Sequence, residues 1–271
     1  MRWPLAVATG CCTGVPVMRT LEDFHEAGVT AIELGTPPQH FDPCNHHQVA
    51  EVGHRLRTLR MQVASIHAPF GGHLDLSEPS AHHRHAAIGA TLAAAVALRE
   101  VGGARVIVHP TDTPRDGRNL DERLARCLDG LQMLARACRH LGVQLVLETP
   151  LPHLIGGHPD EFAWLARGLD RSVGICFDTG HLFLGGQWDR FAGLVGDRLV
   201  HVHANDNRGQ FDDHLPPGEG AIDWLHVRDT LDQVAFDGWI VLELACPSDP
   251  FVESIRAAVA RTCAALNLLT S

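Results

Sequence analysis

The stretch 119-NLDERLARCLDGLQMLARACRHLGVQLVLETP-150 joins two different periods. From Leu120 to Leu141, Leu and Ala recur at steps of three and four, the apolar stripe of a helix. Asp121 and Glu122 fall in its first turn, where the helix dipole favours negative charge, and Gly142 stops it. The run VQLVLE that follows is short, apolar and partly β-branched, as expected of a strand buried on both faces. The same alternation fills the chain. The other strand candidates are 5-LAVATG, 31-AIELG, 63-VASIHAP, 105-RVIVHP, 173-VGICFDTGH, 199-LVHVHAND and 239-WIVLELA. The other helix candidates lie near 17–27, 46–60, 80–102, 159–168, 187–195, 222–234 and 249–267.

Eight βα units leave no spare segment for a second domain, and PPGEG at 216–220 reads as a loop rather than a linker. Parallel strands separated by helices can close into a (β/α)8 TIM barrel, an α/β fold of about 250 residues. Residues 1–271 are therefore expected to form one such barrel, with its site at the C-terminal ends of the strands. The rival, a doubly wound open sheet, usually carries a glycine-rich phosphate turn after its first strand. ATGCCTG at 8–14 is a poor match to GxGxxG.

Composition narrows the class further. With 45% hydrophobic and 20% charged residues, the chain can bury a large core and is not a disordered polymer. Its net charge of -10 argues against a broad basic surface for nucleic acid or anionic membranes. The eight Cys have no CxxC spacing, and Cys127, Cys138, Cys176 and Cys263 lie inside apolar runs. These read as reduced thiols of a cytoplasmic protein. No export signal is expected from MRWPLAVATGCC, and no run approaches the ~18 apolar residues of a membrane span.

Residues at the C-terminal ends of barrel strands share one cavity, whatever their distance in sequence. Here the third to fifth strands end in His67, His109 and Glu148. The sixth ends in Asp178 with His181 just beyond, the seventh in His203 and the eighth in Glu243. The loop after the seventh adds Asp212 and His214. One strand-end histidine is usually a hydrogen-bonded structural group, but agreement along six successive strands implies a metal site. Carboxylates inside LVLE and IVLEL are costly to bury without a cationic partner. Mixed imidazole and carboxylate ligands suit Mn or Zn, and also Fe or Co, better than Mg or Ca. One to three such divalent ions are expected. Glu33, ending the second strand, and Arg208, at the mouth, are candidate substrate contacts. His46, His47, His82, His83 and His85 read as solvated, His201 and His226 have no evident partner, and Asp206 and Asp213 read as turn residues.

In order and placement, IELG, SIHAPF, HP, ETP, FDTGH, HVHAND, GEGAIDW and LEL resemble the xylose-isomerase-like TIM-barrel superfamily over nearly the whole chain. Two branches imply different readings. The ketose epimerases and related isomerases hold one divalent ion in a Glu, Asp, His, Glu quartet, which falls on Glu148, Asp178, His203 and Glu243. That resemblance implies that Glu148 and Glu243 move a proton on and off carbon beside a carbonyl polarised by the ion. His181 is a further catalytic candidate. The endonuclease IV branch implies a multinuclear metal phosphodiesterase using His67, His109, Glu148, Asp178, His181, His203, Asp212, His214 and Glu243, with DDHLPPGEG matching its Asp-x-His and GEG turn.

Against DNA stand the acidic balance, the absence of Tyr, and the loops 36-TPPQHFDPCN and 70-FGGHLDLSEPS, which carry no Lys or Arg. The expected activity is a metal-dependent isomerase or epimerase acting on a small carbohydrate or its phosphate. A lyase or dehydratase using the same enolate chemistry fits equally, and a homo-oligomer is possible. A binding protein without catalysis would be expected to lack one of the two carboxylates, and both are present.

Overall fold

The computed structural model describes residues 2–115, 119–246 and 251–268. Its strands are β1 (Leu5–Ala8), β2 (Ala31–Leu34), β3 (Gln62–His67), β4 (Arg105–Val108), β5 (Gln144–Glu148), β6 (Gly174–Asp178), β7 (Leu199–Ala204) and β8 (Trp239–Leu242). Each pairs in parallel with the next, and β1 pairs with β8, closing the barrel. The helices are α1 (Val17–Glu26), α2 (His46–Leu59), α3 (Ala81–Glu100), α4 (Leu120–Leu141), α5 (Pro159–Arg167), α6 (Thr179–Gly185), α7 (Trp188–Val195), α8 (Trp224–Gln233) and α9 (Phe251–Ala265). Residues 249–250 of the last helix candidate lie outside the described residues.

The main core lies between barrel and helices. Outward strand residues such as Ile32, Leu145, Leu147, Phe177 and Val202 meet helix residues such as Leu98, Leu131 and Phe162, all buried. α4 ends as its sequence requires: Gly142 takes φ 68°, and its N–H bonds to the carbonyls of Arg139 and Cys138. No disulfide forms among the described residues, and Cys127, Cys138, Cys176 and Cys263 are buried. No described helix is long and apolar enough to cross a membrane.

The barrel interior is built differently from this shell. Side chains two apart on a strand share a face, so the residue below each strand-end group also points inward. Those lower positions are small or apolar on several strands: Ala31 below Glu33, Ile107 below His109, Val146 below Glu148, Cys176 below Asp178 and Val241 below Glu243. They make a dry floor beneath a polar top. The pairing register shifts between Ile32 and Glu33, and again between Ile175 and Cys176. Such irregularities re-aim side chains near functional sites.

α6 is absent from the sequence reading, which carried the strand through FDTGH. It has seven residues and begins and ends in glycine-containing steps, too short to display a helical period. Its cap is Asp178, whose Oδ1 accepts the His181 N–H at 2.8 Å. The first strand candidate was also too long: after Ala8 the chain turns into a 3-10 segment, Thr9–Cys12.

Asp75 braces the loops on one side of the barrel mouth. Its buried carboxylate accepts from Ser77 N at 2.6 Å, Thr111 Oγ1 at 2.6 Å, Thr113 Oγ1 at 2.6 Å and Asp112 N at 3.0 Å. Burial would raise its pKa, but these donors hold it below the usual value. Asp75→Ala leaves those donors without their charged acceptor, and a loss of about 1.5–3 kcal/mol is expected in urea unfolding.

Candidate metal centre

Glu148 is the hub of the site. It ends β5 with its side chain only 1% exposed. Oε2 lies 3.1 Å from His67 Nε2 and 3.1 Å from His109 Nε2, and Oε1 lies 3.2 Å from His203 Nδ1. Burial would raise its pKa, but the charges of His109 and His203 hold it well below the carboxylate range. Asp178 is fixed from two sides, by the His181 N–H on Oδ1 and by Asn205 Nδ2 on Oδ2 at 2.7 Å. Burial raises its pKa, and the negative Glu243 and Glu148 nearby outweigh part of the help from His181.

The histidines follow one pattern. His67 Nδ1 faces the Ala68 carbonyl at 3.0 Å, His181 Nδ1 the Thr149 carbonyl at 2.8 Å, and His214 Nδ1 the Glu243 carbonyl at 3.2 Å. A carbonyl can only accept, so each Nδ1 carries a proton and each neutral ring turns a lone pair outward at Nε2. Those Nε2 atoms face carboxylates: Glu148 for His67, and Asp212 Oδ2 for His181 at 3.3 Å and His214 at 3.0 Å. A lone pair facing a carboxylate is repulsive unless a cation lies between them.

Protons can supply that charge. Burial opposes protonation, but Glu148 raises His67 to about 9, while Asp178 and Asp212 raise His181 to about 10. Asp212 and Glu243 raise His214 to about 10, and His203 is held well above its ordinary value despite burial, by Cys176, Glu243 and Glu33. Divalent ions can supply it too. Four sets have ligand atoms mutually within 4.8 Å: His67, His109 and Glu148; Glu148, Asp178, His203 and Glu243; His181, Asp212 and His214; and, deeper in the barrel, Glu33, His201 and His203. Buried Asp212 Oδ1, His109 Nδ1 and His203 Nδ1 have no hydrogen-bond partner. Orphaned donor atoms, lone pairs aimed at carboxylates and a mixed N/O ligand set fit first-row divalent ions.

The nine residues chosen as ligands from the sequence make up the first three sets, with Glu148 shared; the fourth adds Glu33 and His201 to His203. The two candidate substrate contacts are not among those nine residues. Arg208 is exposed, and its backbone N–H bonds to Asp213 Oδ2 at 3.1 Å. Glu33 is fully buried beneath His203, its carboxylate engaged by Ser65, His201 and His203. His201, without a partner in the sequence reading, is therefore paired with Glu33. The alternation in LVHVH is the signal for it, since His201 shares His203's inward face. His226 pairs with Asp189 at 2.7 Å on the exterior.

Asp206 shapes the loop that carries Asp212 and His214. Leu215 bridges back to it with two backbone bonds of 2.8 Å. Its carboxylate accepts from Gly218 N at 2.9 Å, Ile222 N at 3.1 Å and Trp224 Nε1 at 2.9 Å. The second glycine of GEG is dictated by this carboxylate, because a Cβ on Gly220 would lie 2.2 Å from Asp206 Oδ1. Asp206→Asn replaces an acceptor oxygen with a donor. It is expected to cost roughly 1–3 kcal/mol and to weaken ion binding by His181, Asp212 and His214 more than by the quartet, read by metal titration.

Above the metal-capable groups opens a cavity of about 700 Å3. Glu33, His67, Asp212, His214 and Glu243 form its polar end, and Pro37, Pro38, Pro69, Phe70 and Leu74 form an apolar wall. Phe70, 52% exposed, packs against His67 and His109 with centroid distances of 4.9 and 4.3 Å. No Arg is among the described lining residues, and the chain has no Lys at all.

Comparison with known proteins agrees with this architecture. The D-tagatose 3-epimerase-like protein superimposes with a TM-score of 0.84 at 22% identity, covering 98% of each chain. The IolI protein with a bound zinc atom gives 0.84 at 17% identity, covering 99% of each chain. Among curated relatives, an uncharacterised protein of Methanocaldococcus jannaschii is 29% identical over 188 residues, 66% of this chain and 63% of its own length. An inosose dehydratase of Lacticaseibacillus casei is 28% identical over 166 residues, 51% of this chain and 53% of its own length. The chain thus spans about half to two thirds of these relatives. The model of the xylose isomerase-like TIM barrel family matches residues 21–265, and the chain belongs to that family.

Proposed function

We propose that the protein is a metal-dependent isomerase or epimerase of a small, unphosphorylated carbohydrate or polyol ketone, in which Glu148 and Glu243 transfer a proton at the carbon beside a carbonyl. The observation that carries this reading is the pair of carboxylates flanking one buried imidazole. His203 Nδ1 lies 3.2 Å from Glu148 Oε1 and 3.4 Å from Glu243 Oε2. Glu148, Asp178, His203 and Glu243 would hold a divalent ion, and such an ion supplies a Lewis acid for a carbonyl oxygen.

This chain's residues provide the rest. A protonated imine is unavailable without lysine, so carbonyl activation falls to another electrophile. Glu148 is kept ionised and can accept a proton, while Glu243 is less buried and lines the cavity, where it can return one. Asp178 and His203 are the immobile members of the quartet, fixed by Asn205 and Glu33. The apolar wall suits the C–H face of a carbohydrate, and a phosphate would find no Arg or Lys in the described lining. The names of the compared proteins, inosose dehydratase and D-tagatose 3-epimerase-like protein, support sugar or polyol chemistry.

The test is solvent exchange. With added Mn or Zn in D2O, free ketoses and inososes are expected to take up deuterium beside the carbonyl, and sugar phosphates to do so far more slowly. Equal exchange of phosphorylated and free substrates would contradict the substrate class.

A second reading, a multinuclear phosphodiesterase, is favoured by one observation: the two outer sets accompany the quartet. Three ions per chain, reduced in His109→Ala and His214→Ala without unfolding, together with abasic-site or phosphodiester cleavage, would establish it over proton transfer.

A further inference from the structure

We infer that Glu33 is a positioning residue that sets the metal affinity of the quartet by fixing which nitrogen of His203 carries the proton. This rests on the metal reading of Glu148, Asp178, His203 and Glu243. Glu33 belongs to β2, three strands from β7 around the barrel, and its carboxylate reaches His203 through the interior. Oε1 lies 3.2 Å and Oε2 3.3 Å from His203 Nε2. A carboxylate in that position accepts, so Nε2 must donate, and Nδ1 of the neutral ring is left as the lone pair facing Glu148 and Glu243.

Glu33 is itself held in place. Ser65, its neighbour in the β2–β3 register, donates Oγ–H to Oε2 at 2.5 Å, and His201 Nε2 lies 3.2 Å from the same oxygen. The register shift at Ile32/Glu33 sets the pairing that brings these groups together. A carboxylate behind a ligating imidazole orients the ring and strengthens it as a donor. Buried carboxylate, imidazole and quartet therefore form a line from the barrel floor to the cavity. Apart from Ser65 and His201, the neighbouring interior positions Ala6, Ala8, Ala31 and Val241 are apolar and give Glu33 no further polar partner.

Glu33→Gln keeps the shape and removes the obligatory acceptor, because the amide can turn its NH2 towards His203 and drive the ring proton to Nδ1. The dissociation constant of Mn or Zn, measured by competition with a chelating dye, is expected to rise about 10–100-fold. Turnover should recover substantially at saturating metal. Ser65→Ala should shift affinity in the same direction by less. A readout needing no variant is the ring 15N spectrum of the Zn-loaded wild-type protein, in which His203 should be protonated at Nε2 only. An affinity in Glu33→Gln within twofold of wild type, or a His203 proton at Nδ1, would overturn the inference. So would the loss of one whole ion at saturating metal, which would make Glu33 a ligand. A wild-type chain that binds no ion overturns the metal reading and this inference together. Ion held equally by wild type and Glu33→Gln overturns this inference alone.

Discussion

Glu148→Gln is expected to reduce kcat by about 10^2–10^4-fold, the range for a positioned acid or base. Gln preserves volume beside His67, His109 and His203 but cannot accept a proton from carbon. Because Glu148 is also a candidate ligand, the measurement belongs at saturating metal, with bound ion quantified in the same sample. Glu243→Gln should show a comparable loss. The two should differ in D2O: the variant that keeps the abstracting carboxylate still exchanges its C–H with solvent while net epimerisation is lost. Full activity in either variant with metal bound would remove that residue from the proton pathway.

The second large effect is the coupling of metal to protons. Free of ions, His67, His181, His203 and His214 hold protons at neutral pH, because their carboxylate partners outweigh the cost of burial. Coordination requires unprotonated nitrogen, so ion uptake must release protons, and affinity should fall about tenfold per pH unit for each proton displaced. Calorimetry in buffers of different ionisation enthalpy counts them. About one is expected if only the quartet fills, since His203 is its single histidine, and more if the outer sets fill.

Stability without metal follows the same groups. The raised histidines stabilise fully below their unfolded pKa of about 6.5, and that contribution is lost as pH rises through about 9 for His67 and about 10 for His181 and His214. Glu33 and Glu148, held low, contribute above the unfolded carboxylate value of about 4.3 and lose their contribution as pH falls. The chelated protein should therefore be most stable between about pH 4.5 and 6.5 and should weaken towards pH 10. Metal at 100 times its dissociation constant should restore about 2.7 kcal/mol in that alkaline range. A chelated protein with a flat profile from pH 6 to 10 would contradict the assigned charge pattern.

The barrel and the clustering of these side chains were legible in the sequence for one reason: a parallel barrel brings distant strand ends together, so the termini of eight short apolar runs describe one surface. His67, His109, Glu148, Asp178, His203 and Glu243 needed only the strand reading. What lay hidden was whatever depends on side-chain direction across the barrel. Glu33 ends β2 like the others, yet a register shift and Ser65 turn it into the floor beneath His203, while the expected substrate contact Arg208 is outside the cavity lining. α6 was hidden by its length, and the bracing by Asp75 and Asp206 by its dependence on backbone N–H groups that carry no sequence signature. The GEG turn was visible as a motif, but the reason for Gly220, the space taken by Asp206, was not.

The proposed function requires that Glu148, Asp178, His203 and Glu243 hold a divalent ion. Elemental analysis of metal per chain, comparing wild type with Asp178→Asn after loading with Mn or Zn and extensive dialysis, tests it most directly. Asn is a strong helix cap, so α6 should keep its start and the barrel its fold while the quartet loses a charged ligand. At least one ion per wild-type chain is expected, and one fewer in Asp178→Asn. No retained ion in the wild type, or equal content in both proteins, would contradict it.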